Sequence, residues 1–376
     1  MKIVYFFRSL AIWGGIERII IDKANRLADM GYEVAILTAD QGSHPVPYTA
    51  NPAVHIEDLG IGFHRRYYYK GLRRLWTEWR LQRLLVNRLS RRIGQLRPDI
   101  VVTVATDYPE FVVKAVGGRA AVIVESHSIF QRTFNQQRRL SYYRDWRKRH
   151  SLSAARMIVT LTEADAANWR RHYPMVKCIP NIVSLNPTGR MGSHATHRVI
   201  FVGRFDDQKR PELAISIWQR VQSQHPDWEL HIYGEGERRE SVAEAASHAA
   251  GVVLHEPTSH IFEAYCDSAF LILTSLYEPF GLVMPEAMSC GLPVVAFDCP
   301  YGPRDIITDG VDGFLVAEGD EQGFAESMAK LMDDTSLCND MGAAAARSAQ
   351  RYAANQIMPQ WQQVFATFQI GTHTHN

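Results

Sequence analysis

The sequence predicts an α/β protein built from two Rossmann-like units with parallel sheets, and three observations carry that reading. Short apolar runs of strand character alternate with helical segments along all 376 residues, the pattern that helix-connected parallel strands produce. The charge is divided: residues 1–180 hold 29 Lys+Arg against 15 Asp+Glu, while residues 181–376 hold 12 against 25. The formal net charge of +1 therefore hides +14 in the first half and −13 in the second, and the first half is expected to face something anionic. Between them, Asn181 through Thr196 is rich in Pro, Gly, Ser, Thr and His and reads as a linker.

In the first unit, residues 1–180, strands are expected near 2–7, 33–38, 54–58, 100–105, 121–125 and 157–161, because each is a bounded run of β-branched and apolar residues. Helices fit near 16–30, 72–95, 137–150 and 163–172. After the linker at 181–196, the second unit, 197–352, opens with a strand at 199–203 and continues with strands near 229–233, 252–255, 270–274 and 293–297. The stretch 322–369 is helical in pattern, and residues 353–376 are expected as a crossover helix and tail packing back across both units. Two such units would leave a cleft at their strand C-terminal edges, where open α/β sheets bind ligands.

The most informative segment is Glu278-Pro279-Phe280-Gly281-Leu282-Val283-Met284-Pro285-Glu286. It separates the apolar runs 269–274 and 292–297, so it spans a strand-to-helix turn. Pro285 is comfortable only in a first helical turn, which places the helix start near Gly281 or Leu282. Free N–H groups at such a start hold anions, and carboxylates on either side suit hydroxyls. A ligand with both phosphate and several hydroxyls, such as a nucleotide sugar, satisfies both. Gly203-Arg204 and Lys209 follow the first strand of the second unit, where Arg204 could clamp a phosphate and Lys209 offer a point charge. The alternative is a solvated loop whose cations pair with Asp206 and Asp207. Trp13-Gly14-Gly15-Ile16-Glu17 opens a helix after the first strand; it suits close approach of a phosphate, or simply a tight turn. Gly234-Glu235-Gly236 carries the same two readings. Glu125-Ser126-His127 ends a strand, where an imidazole can bond a sugar hydroxyl or serve only the core.

Residues 64–97 contain Arg65, Arg66, Lys70, Arg73, Arg74, Arg80, Arg83, Arg88, Arg91, Arg92 and Arg97, with Tyr67, Tyr68, Tyr69, Trp76 and Trp79 interleaved. Leu72, Leu75, Trp79, Leu81, Leu85 and Leu89 recur at helical spacing. A second basic segment includes Arg138, Arg139, Arg144, Arg147, Lys148 and Arg149. Cations with interfacial aromatics suit an anionic membrane surface or a pyrophosphate-bearing lipid. A soluble helix packed on its apolar face is the rival. Nucleic acid ranks lower, because no nucleic-acid motif accompanies the patch.

Other features bound the function. The apolar start, Met1–Arg8, is too short for a signal peptide, and no run approaches a membrane span. Five cysteines without paired spacing favour a reducing compartment. There is no Asp-x-Asp after a strand to chelate a divalent ion, no P-loop and no G-x-S-x-G elbow, so no metal and no cofactor are expected.

Taken in order, Gly14-Gly15-x-Glu17, Glu125-Ser126-His127, Gly203-Arg204 with Lys209, and Glu278-x7-Glu286 resemble the family 4 glycosyltransferases of GT-B fold over essentially the whole chain. The 278–314 stretch, with Cys299-Pro300-Tyr301-Gly302-Pro303-Arg304-Asp305, is the most specific part. The resemblance implies a retaining, metal-independent hexosyltransferase using a nucleotide sugar. It assigns Arg204 and Lys209 to the donor diphosphate and Glu278 to the donor sugar. Phe280, Gly281 and Leu282 would offer backbone N–H groups, Glu286 would hold the ribose, and Gly203 and Gly15 would line the donor phosphate. His127 would sit by the transferred sugar and acceptor. The chain looks most like bacterial enzymes that extend lipid-linked glycans, lipopolysaccharide or capsule. A UDP-sugar is the favoured donor, with Arg73, Arg74, Arg80, Arg83, Trp76 and Trp79 facing the acceptor or the cytoplasmic face of the membrane. A nucleotide-sugar epimerase of the same fold and a non-catalytic carbohydrate- or lipid-binding scaffold are the rivals.

Overall fold

A computed structural model of the chain describes residues 1–12, 14–134 and 142–369. The chain divides into two units, Met1–Ile182 with the residues from Met358 onward, and Val183–Ile357.

The first unit is a seven-stranded sheet of β1 (Lys2–Phe7), β2 (Glu33–Thr38), β3 (His55–Asp58), β4 (Ile100–Val104), β5 (Ala121–Glu125), β6 (Met157–Thr160) and β7 (Val176–Cys178). Its order is β3-β2-β1-β4-β5-β6-β7, and every pairing is parallel. The second unit holds six parallel strands: β8 (Arg198–Val202), β9 (Glu229–Tyr233), β10 (Val252–His255), β11 (Phe270–Leu273), β12 (Val294–Phe297) and β13 (Gly313–Val316), in the order β10-β9-β8-β11-β12-β13. In each sheet the first strand lies between neighbours that the chain reaches in opposite directions. Loops leaving the strand C-termini diverge there and open a crevice, the usual ligand site of such sheets. Helices cover the faces, which is why β1, β4, β8, β11 and β12 read as nearly unbroken apolar runs.

Short elements escape the sequence reading, among them the helical turns Phe63–Tyr68 and Phe130–Thr133. β7 and β13 are short edge strands of three and four residues, and helix Pro109–Val116 is too brief for its period to register. The stretch 322–369 resolves into helices Glu321–Asp333, Thr335–Ala349 and Ala354–Gln369. Asp320 and Asp334 cap the first two, accepting from Gly323 N and Leu337 N at 2.9 Å each. Residues 183–196, expected within the linker, lie on the second unit. Asn186 N donates to Ser289 Oγ (3.0 Å) and Gly192 N to Cys290 O (2.7 Å). A Cβ on Gly192 would stand 2.6 Å from Ser268 O, so the small residues that read as a linker serve close backbone packing. The expected helix at 137–150 is Tyr142–Leu152 where described; Trp13, Arg138, Arg139 and the tail 370–376 lie outside the described residues.

Helix Gly71–Leu96 is packed along only part of its length. Leu81, Leu85, Leu89 and Ile93, at i, i+4, i+8 and i+12, are buried in the first unit's core. Leu72, Leu75, Trp76 and Trp79 are 84, 64, 55 and 50% exposed. The two halves should therefore respond differently to truncation. Leu85→Ala should lower stability by about 2–5 kcal/mol, and Leu75→Ala should stay within about 0.5 kcal/mol. Urea unfolding of both variants checks this, and equal losses would contradict the assignment.

Candidate active site

In the second unit, loops leaving β8, β11 and β12 are laced together by hydrogen bonds. After β8, Asp206 Oδ1 accepts from Gln208 N (3.0 Å) and Lys209 N (2.9 Å), turning the chain into helix Pro211–Gln222. After β11, Thr274 Oγ1 donates toward Lys209 O (3.0 Å) and Arg210 O (2.9 Å), and Leu276 N donates to Gln208 O (2.8 Å). Glu278 then donates its N–H to Pro300 O (2.7 Å) and accepts at its carbonyl from Tyr301 N and Gly302 N (2.8 Å each) in the loop after β12. Backbone bonds thus fix Glu278 and Lys209 before their side chains meet. Lys209 Nζ pairs with Glu278 Oε1, and Ser275 Oγ donates to the same oxygen at 2.7 Å. Glu278 is buried, whereas Lys209 stays partly open to solvent.

The turn that follows is built around glycines. Gly281 has φ +84°, a conformation that favours glycine, and a Cβ on Gly302 would lie 2.2 Å from Phe280 O. Helix Val283–Ser289 begins there with Leu282 as its N-cap, so Pro285 occupies the first turn as its chemistry demands. Met284 N and Glu286 N bond back to Gly281 O (3.0 Å) and Leu282 O (3.1 Å), which leaves the N–H groups at 281–283 as the ones without a backbone acceptor among the described residues. The Phe280 ring is buried against Tyr352, so its side chain is not available to a ligand. Glu286 is buried in the same first turn.

Arg204 stands apart. Its side chain is 71% exposed, pairs with Asp206 at 2.9 Å and donates to Gln208 Oε1 at 3.3 Å. The solvated-loop reading therefore describes Arg204 as it stands here, and Asp207 pairs with Arg238 instead. Exposed pairs of this kind are worth about 0–1 kcal/mol, so a phosphate would displace Asp206 at little cost. Gly203 leaves room for Lys209, whose Cγ would be 3.2 Å from a Cβ there. Gly234 and Gly236 answer to packing: a Cβ on either would lie 1.9 Å from Gly203 O or 2.4 Å from Phe205 O. The Cys299 thiol, pushed up to about 12 by burial and then by the Glu278 charge, is no thiolate nucleophile.

In the first unit, Glu125 is the last residue of β5, and Ser126 N continues the pairing by donating to Val159 O (2.8 Å). His127 Nε2 lies 2.9 Å from Glu125 Oε2, which also pairs with Lys23 Nζ from helix Gly15–Asp29. All three side chains are buried. Burial pushes the Glu125 carboxyl up, but Lys23 and His127 outweigh it and hold it at about 2. Burial also lowers the Lys23 ammonium against the opposing pull of Glu125. Lys23 Nζ lies 4.2 Å from the Trp361 ring centroid and 5.8 Å from that of Tyr5. The sequence carries no signal for the Lys23–Glu125 pair, because Lys23 reads as one more cation on a helix.

Gly14 is the N-cap of that helix, and a Cβ on it would lie 2.0 Å from Glu17 Oε2. The Gly-Gly-x-Glu spacing therefore has a structural reason, with Glu17 folded back on the turn and its pKa raised chiefly by burial. Gly15 is the first helical residue. A cavity of about 570 Å³ opens beside it, lined among others by Arg8, Glu17, Asp40, His64, Arg66 and Asp107. Mixed cations, carboxylates and imidazoles suit a hydroxyl-rich ligand that also carries negative charge. Arg8, Asp40 and Asp107 were not singled out by sequence, since nothing in their spacing marks them.

On helix Gly71–Leu96, Arg73 lies over Tyr69 (4.3 Å), Arg80 over Trp76 (4.6 Å) and Arg83 over Trp79 (4.5 Å), while Arg74 lies over Tyr67 (5.3 Å). These pairs leave cations and aromatic faces together on an exposed surface.

Two family models match: Glycosyltransferase Family 4 over residues 13–186 and Glycosyl transferases group 1 over residues 196–334. An uncharacterized glycosyltransferase of Haemophilus influenzae is 26% identical over 96% of this chain and 98% of its own length. An exopolysaccharide phosphotransferase of Streptomyces coelicolor is 33% identical over 51% of this chain, which spans only 21% of that protein. Among solved structures, S. aureus TarM in complex with UDP and alpha-GlcNAc-glycerol superposes with a TM-score of 0.77 at 16% identity, covering 97% of this chain and 99% of that one. That likeness establishes the fold, which is GT-B.

The Glu125 site makes a prediction about acid stability. A folded-state pKa of about 2 lies below the ordinary value of 4.5, so this carboxylate adds stability above pH 4.5 and loses it as pH falls toward 2. Thermal melts from pH 5 to pH 2 should fall more steeply for the wild type than for Glu125→Gln. Parallel curves would remove Glu125 from the acid response.

Proposed function

Because the chain belongs to the family 4, group 1 glycosyltransferases, we propose that it moves a hexose or N-acetylhexosamine from a nucleotide sugar to a membrane-associated glycan acceptor. The donor is read as a UDP-sugar and the reaction as retaining and metal-independent. The product belongs to cell-surface polysaccharide, lipopolysaccharide or lipid-linked oligosaccharide. The observation that carries the donor half is the Lys209–Glu278 pair, set beside the helix start at Val283 where three strand ends meet.

Elementary electrostatics gives each residue a task. Breaking the glycosidic bond places negative charge on the departing nucleoside diphosphate. The N–H groups at 281–283 and Lys209, fixed by the backbone, are placed to receive that charge, and Arg204 joins them by exchanging Asp206 for the phosphate. The sugar gains oxocarbenium character, which the Glu278 carboxylate favours. Glu278 is already engaged by Lys209 and Ser275, so it acts here as an electrostatic and hydrogen-bonding group and not as a covalent nucleophile. Retention then follows from attack of the acceptor hydroxyl on the leaving-group face, with a diphosphate oxygen taking its proton. Glu286 serves the ribose hydroxyls. The acceptor is assigned to the basic first unit, with His127 at its strand end. The similarity to an exopolysaccharide enzyme and to a UDP complex supports this choice of acceptor and nucleotide.

The exposed half of helix Gly71–Leu96 supports a peripheral position on an anionic, cytoplasmic membrane face. Four apolar side chains stand unpacked among arginines there, the composition that binds a lipid interface. Among the described residues no helix is long and apolar enough to cross a membrane.

Two experiments test the reading. In a panel of UDP- and GDP-sugars, one UDP-sugar should raise the melting temperature and be slowly hydrolysed to UDP and free sugar, with the rate unchanged by EDTA. A strict Mg²⁺ requirement or a GDP-sugar preference would overturn those parts. Sugar interconversion without UDP release would indicate an epimerase, and no stabilisation by any donor a scaffold. Replacing Arg73, Arg74, Arg80 and Arg83 together with Gln should weaken sedimentation with phosphatidylserine vesicles at least about 10-fold, since each cation near the surface contributes about 1 kcal/mol. Unchanged binding would remove the membrane from the account.

A further inference from the structure

We propose that Lys23 is a positioning residue for His127: by holding Glu125 ionised, it fixes the proton of the imidazole on Nε2 and leaves Nδ1 as a hydrogen-bond acceptor. The proposal rests on the reading of His127 as a group that meets substrate.

An ionised carboxylate has no proton, so it only accepts. Glu125 Oε2 lies 2.9 Å from His127 Nε2, and such a bond requires Nε2 to carry the hydrogen. The neutral ring then has its lone pair on Nδ1, and no hydrogen bond from Nδ1 is formed among the described residues. His127 would accordingly receive a hydrogen bond from a sugar or acceptor hydroxyl, and could not donate one while neutral.

Glu125 can play this part only while it is charged, and its surroundings work against that. Its side chain is 3% exposed, its other oxygen has no hydrogen-bond partner among the described residues, and the nearby Tyr5 hydroxyl is likewise unpartnered. An isolated buried carboxylate would take up a proton. The Lys23 ammonium, itself 4% exposed, prevents this, and the Trp361 ring at 4.2 Å covers it with a face that favours a cation. The pair therefore converts a distant helix residue into control over which imidazole nitrogen carries the proton. The other titratable groups bearing on the site are Tyr5, whose ionisation Glu125 opposes, and Asp107, whose carboxylate senses His127.

Removing Lys23 should reverse the arrangement. The Glu125–His127 pair would then take up a proton from solvent, shared between Oε2 and Nε2, and the ring would carry a hydrogen on Nδ1 whichever partner holds it. Side-chain ¹⁵N NMR of the ligand-free full chain reads the tautomer directly. Wild type should show Nε2–H with an unprotonated Nδ1, Lys23→Arg should retain it, and Lys23→Met should show Nδ1–H. Hydrolysis of UDP-N-acetylglucosamine or UDP-glucose by Lys23→Met should lose about 10-fold or more in kcat with KM little changed, since acid–base and hydrogen-bond groups of this kind act in the turnover step. Lys23→Arg should recover most of the rate. Nδ1–H in the wild type overturns the proposal even if Lys23→Met does not fold, and so does an unchanged tautomer in a folded Lys23→Met. The spectra need no substrate, so a wild type with the expected tautomer but no sugar-nucleotide turnover would count against the proposed function and not against the role of Lys23.

Discussion

Parallel strand direction is the constraint on which everything else here depends. When every strand of a sheet runs the same way, all C-terminal ends share one edge, and each connecting loop must leave from that edge. The strand interiors are buried on both faces by helices, so their side chains are apolar and contribute no chemistry. Chemistry-bearing side chains are therefore ordered where a strand stops. Glu125 closes β5, Lys209 follows β8, and Glu278 follows β11. Residues 69 positions apart, Lys209 and Glu278, meet because their strands are neighbours in the sheet.

The same chemical pair, a lysine and a glutamate, occurs at a strand end in each unit but in different solvent. Lys23–Glu125 is sealed, at 4 and 3% exposure, whereas Lys209 is 12% exposed above a buried Glu278. A sealed pair costs several kcal/mol in desolvation that only its own attraction and further bonds offset, so it stays in place and orients its neighbours. A pair with one partner open can exchange that partner's charge for a ligand's. The first suits holding His127 in one tautomer, and the second suits receiving a diphosphate.

Much of the fold was legible because bounded apolar runs mark buried parallel strands, and eleven of them were placed from sequence with boundaries within a residue or two. β7 and β13 were not, since edge strands of three or four residues have too little pattern to separate from loops. The turn at 278–286 was legible through Pro285, whose backbone chemistry locates the helix start. Pairing across the fold was not. Nothing local to Lys23 announces Glu125, which lies 102 residues away. Arg204 shows the opposite limit: its place beside Gly203 is clear from sequence, but its exposed pairing with Asp206 is not. The leucines of helix Gly71–Leu96 all share one period, and only packing separates those that enter the core from those that face outward.

On the proposed function, the second unit binds a nucleoside diphosphate through Lys209 in its open ion pair. Isothermal titration of UDP into the wild type and Lys209→Ala, in the absence of metal and at two ionic strengths, tests it most directly. Saturable binding to the wild type that weakens with salt is expected, and at least about 10-fold weaker binding to the variant, the loss typical of a charge-assisted hydrogen bond. Equal affinity of the two proteins for UDP would contradict it.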